Sequence, residues 1–163
     1  MIKGKISAFP PTFAAAAMLC VSMLGAAPVQ ANGADEGGAV LDLVNATRAA
    51  NGCGPLAPNP QLAAAAARHA NDVLFNGAQG HVGTDGSSIS QRVRDAGYGP
   101  NATVGEVVFW GTGTARNADA AVKWWMNSPG HRAIITDCGF TEAGFSTVSN
   151  GLKMSAAGDF GKR

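Results

Sequence analysis

"NSPGHR", residues 127–132, directly follows the apolar run Ala120-Ala121-Val122-Lys123-Trp124-Trp125-Met126, and the way the two are joined decides how the chain is organised. A serine followed at once by proline starts a helix. The hydroxyl can accept from an orphan backbone N–H, and proline has no N–H to lose at the first helical position. Ser128 therefore reads as a cap, with His131 one turn into a new helix. There the ring feels the positive end of the helix dipole, which disfavours imidazolium and leaves a neutral nitrogen able to ligate a metal or take a proton. The plainer alternative is a histidine that only bonds a neighbouring carbonyl.

Working outward, the preceding helix carries the stripe Ala118, Ala121, Val122, Trp125 and Met126, with Asn117 or Asp119 as its cap. Trp125 is thus expected in the core and Trp124 toward its edge. Thr103 to Trp110 is β-branched and aromatic, hence extended. Downstream, Ala143 to Ser149 and Leu152 to Phe160 flank Asn150-Gly151, the strongest short hairpin signal. Upstream, Ser88 to Ala96 reads as a short helix closed by Gly97, and "NGAQGHVGTDGSS" (76–88) as a loop carrying His81. Asn59-Pro60 opens an alanine-rich helix running to Asn76-Gly77, on which His69 lies beside the apolar stripe and reads as structural. "CGPLAPNP" is a loop. Val40, Leu41, Val44 and Thr47 mark a first helix that stops before Asn51-Gly52, and 32–38, "NGADEGG", reads as a flexible lead.

The ends set the compartment. Lys3 and Lys5 precede the short apolar run 13–27, and Val29-Gln30-Ala31 supplies small residues, so 1–31 reads as a secretory signal peptide cleaved after Ala31. A lipoprotein reading through Cys20 is disfavoured by Leu19 before it. Removing 31 of 163 residues leaves 132, enough for one domain. Losing Lys3 and Lys5 takes the formal charge from +1 to −1. With its arginines scattered, the chain lacks the basic stripe that nucleic acid requires. Cys53 and Cys138 remain, and in an oxidising compartment two cysteines without CxxC spacing read as one disulfide. Asn45-Ala46-Thr47 and Asn101-Ala102-Thr103 are sequons, meaningful only in a host that glycosylates them.

Glu106 sits inside an apolar extended segment, where an unpaired carboxylate is costly. Its natural partners are His81 and His131, since neither belongs to an apolar stripe. Two imidazoles and a carboxylate can fill three positions of a tetrahedral zinc site or form a proton-transfer cluster. The alternative is a salt-bridged Glu106 and two loop histidines.

"GHVGTDGSSISQRVRDAGY", "VGEVVFWG", "AVKWWMNSPGHRAII" and "FTEAGFSTV" with a terminal "DFG" resemble the bacterial secreted branch of the CAP superfamily, also called the SCP domain, over about residues 39–161. The family includes cysteine-rich secretory, antigen-five and pathogenesis-related proteins. The resemblance implies an α+β fold: a three-layer α-β-α sandwich with a small antiparallel sheet between helices, and a cleft lined by two histidines and two acids. It matches His81 and His131 to the histidines and Glu106 to the acid of the GEN motif. Two departures stand out: Val107 replaces the usual asparagine, and the second acid's position falls at Asn127 or Ser128. The acid count is short by one unless Asp85 compensates. The expectation is a secreted or wall-associated binding domain for a divalent cation such as zinc, weakly held, or for a small, lipidic or peptidic ligand. The alternatives are a hydrolase using the His–Glu cluster and a wall-associated interaction module with a vestigial cleft.

Overall fold

The hairpin at Asn150-Gly151 forms as its turn residues require. Gly151 adopts φ 86°, and Asn150 Oδ1 accepts from the N–H groups of Leu152 and Lys153. The computed structural model describes residues 33–163; the expected signal peptide, its cleavage point and Cys20 lie outside them. Strands β3 (Glu142–Ser149) and β4 (Lys153–Lys162) run from this turn, and β2 (Thr103–Thr112) lies antiparallel along the other side of β4, from Thr103 opposite Lys162 to Thr112 opposite Lys153. A two-residue β1 (Ala57–Pro58) joins β3 in parallel, inside the segment expected to be loop only. It is aligned by Asn45, whose side-chain amide both accepts from Leu56 N–H and donates to Leu56 C=O. The sheet order is β1-β3-β4-β2, so β2 is an edge.

Alternation along the strands sorts the helices into two layers. Val107, Phe109, Ala143, Phe145, Met154, Ala156 and Phe160 face α1 (Gly33–Ala50), α4 (Ala118–Asn127) and α5 (Pro129–Ile135). The other face receives α2 (Pro60–Asn71), through Ala66 and Ala70 on Ala157, and α3 (Ile89–Asp95), through Val93 against Leu62. This is the expected three-layer sandwich. The alanines of α2 bring its backbone onto the sheet: a Cβ on Gly144 would collide with the Ala63 backbone nitrogen.

Asn59 caps α2, Ser88 caps α3 and Asn117, not Asp119, caps α4, each accepting backbone N–H groups. Two local expectations fail. Helix α1 begins at Gly33, so the supposed flexible lead is helical from there. Tertiary contacts override its composition: Gly37 is pressed against the Phe145 carbonyl, and Glu36 accepts from Thr147 Oγ1 at 2.7 Å. Ser128 does stand at the junction of α4 and α5 with extended backbone, but its hydroxyl caps nothing. The break comes from Pro129, and α5 opens with Arg132 N–H on Ser128 C=O.

The Cys53–Cys138 disulfide forms, closing a separation of 85 residues between the end of α1 and the loop after α5. Beside it the Arg48 guanidinium, 1% exposed, donates to the carbonyls of Gly54, Ile135, Asp137 and Phe140.

Candidate functional site

Glu106 points from β2 toward the α2 layer, and the chain surrounds it. His81 Nδ1 lies 2.8 Å from Glu106 Oε1, and Arg92 Nη2, from α3, donates to Oε2 at 2.5 Å. Arg92 also holds the carbonyls of His81 and Ser87, so the same side chain that neutralises Glu106 fixes the histidine loop. His81 is 44% exposed in its side chain while Glu106 is fully buried. A carboxylate can only accept, so His81 donates through Nδ1 and turns Nε2 outward.

His131 comes from the opposite layer, on α5. Its ring centroid stands 5.8 Å from that of His81, so the two imidazoles meet across the edge of β2. The sequence reading expected a bond from His131 to Glu106, and none forms; Arg92 takes that place. Burial is the main cause that pushes the His131 pKa down, with His81 adding to it and Glu106 opposing. Its Nδ1 is buried without a hydrogen-bond partner.

The second acid is Asp159, which sequence reasoning missed. It stands opposite Glu106 in the β2–β4 register and is wholly buried. Burial, then the neighbouring Glu106 charge, raises its pKa well above the usual carboxylate range, with Arg92 opposing. No N–H or other donor among the described residues reaches either oxygen. Burial beside a second carboxyl therefore favours the protonated form of Asp159. The signal that could have found it is the one that found Glu106: an acid inside an apolar strand. His69 closes the cluster beneath, with Nε2 donating to Gly80 C=O at 2.8 Å and standing 3.8 Å from Glu106, a structural role as expected.

The remaining candidates are elsewhere. Asp85 is half exposed, binds Arg68 at 2.7 Å and accepts from Ser87 N–H, so it braces the outside of the loop and replaces no cleft acid. Asn127 is exposed and donates to Lys123 C=O, and neither it nor Ser128 lines the cleft. A metal fares poorly too. Among the described residues no three His, Cys, Asp or Glu side chains could hold an ion together. Glu106 already spends one oxygen on His81 and the other on a guanidinium, which leaves a cation two imidazoles at most.

What the imidazoles do border is a cleft of about 470 Å³, walled by Phe109, Trp110 and Trp124. The Trp124 ring lies 5.1 Å from His131 and 5.9 Å from Phe109, and is 49% exposed. Trp124 is therefore a wall of the site as well as the margin of the core.

Three bacterial structures share this fold. An outer surface protein from Borrelia burgdorferi superposes with a TM-score of 0.67 at 19% identity, over 77% of this chain and 91% of that one. An extracellular protein containing a SCP domain from Bacillus anthracis gives 0.67 at 22% identity, over 80% of this chain. A cysteine-rich secretory protein from Staphylococcus aureus gives 0.62 at 19%, over 83%. The chain spans only 41% and 40% of the last two. No curated protein matches the sequence. The cysteine-rich secretory protein family, CAP, matches residues 41–157, and with the fold and cleft described above the chain belongs to that family.

Proposed function

We propose that this CAP domain is a secreted binding module whose cleft takes a small, lipidic or peptidic ligand. The observation that carries the reading is the meeting of two imidazoles from opposite layers over an aromatic-walled cleft in which no serine or cysteine is present. Exposed tryptophans of this kind offer a large apolar surface at low entropic cost, and the neutral His131 and outward His81 Nε2 supply polar anchors. Secretion is supported by the signal-like N-terminus and by the disulfide; no helix among the described residues is long and apolar enough to cross a membrane. Mass spectrometry of extracts from the native, secreted protein tests the reading. A bound small molecule should be recovered from the wild type and lost from Trp124→Ala. Equal recovery from both would place the ligand elsewhere.

A hydrolase is the second reading, favoured by the 2.8 Å His81–Glu106 bond, which leaves Nε2 in the tautomer of a general base. Its mark would be a slow rate on generic peptides that vanishes in His131→Ala. Partner capture unchanged in that variant would instead support an interaction module with a vestigial cleft.

A further inference from the structure

Residues 108–112 of β2 line the aromatic cleft consecutively, and residues 104–106 line a second cleft of about 460 Å³ with Ile89, Ile134 and Phe140. A pocket that opens onto the face of a strand is lined by alternate residues, because successive side chains point to opposite faces. Consecutive lining means that both clefts open onto the strand's edge, where its backbone groups lie. His81 borders both. We infer that the two clefts form one groove along the free edge of β2, built to take an extended peptide that adds a strand to the sheet and passes beneath His81 and His131. This rests on reading the aromatic cleft as a ligand site and names the class of ligand.

Three observations converge on a peptide. Among the described residues β2 pairs only with β4, and no turn or loop backbone bonds to residues 103–112. A ten-residue strand with no second backbone partner among the described residues is a template for another chain. The surroundings of the groove are also polarised: Asp137 borders the cleft at the Val104 end, whereas at the other Lys153, which lines an adjoining cleft, lies 4.7 Å over the Trp110 ring. Charge complementarity then asks for a peptide with a cationic residue toward Asp137, apolar residues against Ile89, Ile134 and Phe140, and an acidic residue past the tryptophans. Nine residues, 104–112, span about 30 Å, which suits a peptide of about eight or nine residues.

The test uses the disulfide-bonded native protein and capped octapeptides with an apolar, aromatic centre, lysine at one end and aspartate at the other, in both orders. Tryptophan fluorescence reads binding and amide hydrogen exchange reads β2. One order should bind about tenfold tighter, and the double variant Asp137→Lys with Lys153→Glu should invert that preference. Exchange of β2 amides should slow on binding. N-methylation of one alternate set of peptide amides should weaken binding tenfold or more, while the other set is tolerated, since only one set faces the strand. Binding indifferent to both sets, or without slowed β2 exchange, overturns strand addition. If no octapeptide binds while palmitate does, the peptide inference falls and the broader ligand reading survives. If neither perturbs the tryptophans, both fall.

Discussion

At the scale of single residues, the cleft depends on how one buried charge is settled. Glu106 is held between Arg92 and His81, while burial first, and the Glu106 charge second, raises the pKa of Asp159. Glu106→Gln removes a partner from a buried guanidinium and should cost about 3 to 5 kcal/mol in denaturant melts. Asp159 behaves in the opposite sense. Its folded pKa is raised, so its contribution to stability is complete below the unfolded value and is lost as pH rises through the folded one. Asp159→Asn should therefore flatten the decline in stability between acid and neutral pH and cost nothing at neutrality. A steeper decline in melts across that range would place the proton elsewhere. Zinc should bind weakly, through the two imidazoles alone, and be released in acid as protons compete for the same ring nitrogens. Calorimetry on the wild type, His81→Ala and His131→Ala checks this, with tight binding in both variants as the contrary result. The sequence pointed to both histidines and Glu106 because each departs from the apolar pattern around it. It did not pair Glu106 with Arg92, since nothing along the chain shows that a basic residue on an ordinary helix turns inward.

At the scale of elements, helical phase and turn chemistry were legible, and tertiary overrides were not. The stripe of α4 placed Trp125 in the core, where it is fully buried and packs 6.2 Å from Phe145. Trp125→Ala should cost about 3 to 5 kcal/mol, against under about 1 kcal/mol for the half-exposed Trp124→Ala, both measured by denaturant melts. Equal losses would contradict the phase. The cap at Asn59 and the turn at Asn150-Gly151 were readable because their chemistry is local. The early start of α1 was not, because what holds it is the distant pair Phe145 and Thr147. Strand β1 was hidden for the same reason. A two-residue strand containing proline carries no pattern of its own, and Asn45 supplies its alignment from another helix.

At the scale of the whole molecule, the two helical layers meet the sheet closely at its centre and leave β2, among the described residues, as an edge without a second strand partner, where the histidines approach each other from opposite sides. The corner that carries α5 is fastened by the disulfide and again by Arg48. By the chain-entropy argument a loop of this length stabilises the fold by about 4 to 5 kcal/mol. The guanidinium fastening is independent of it: four carbonyl oxygens, from both sides of the same corner, converge on one cation, with the Asp137 charge nearby. A thiol reductant should therefore lower the melting temperature while leaving the His81–His131 approach intact, as read by imidazole nuclear resonances. Arg48→Met should keep the sulfur link yet loosen the corner, each stranded carbonyl costing about 1 to 3 kcal/mol. Only the two changes together should release α5. On that expectation the geometry of the cleft is insulated from the redox state of its surroundings, and the domain holds the surface around His81 and His131 before its cysteines have ever met an oxidant.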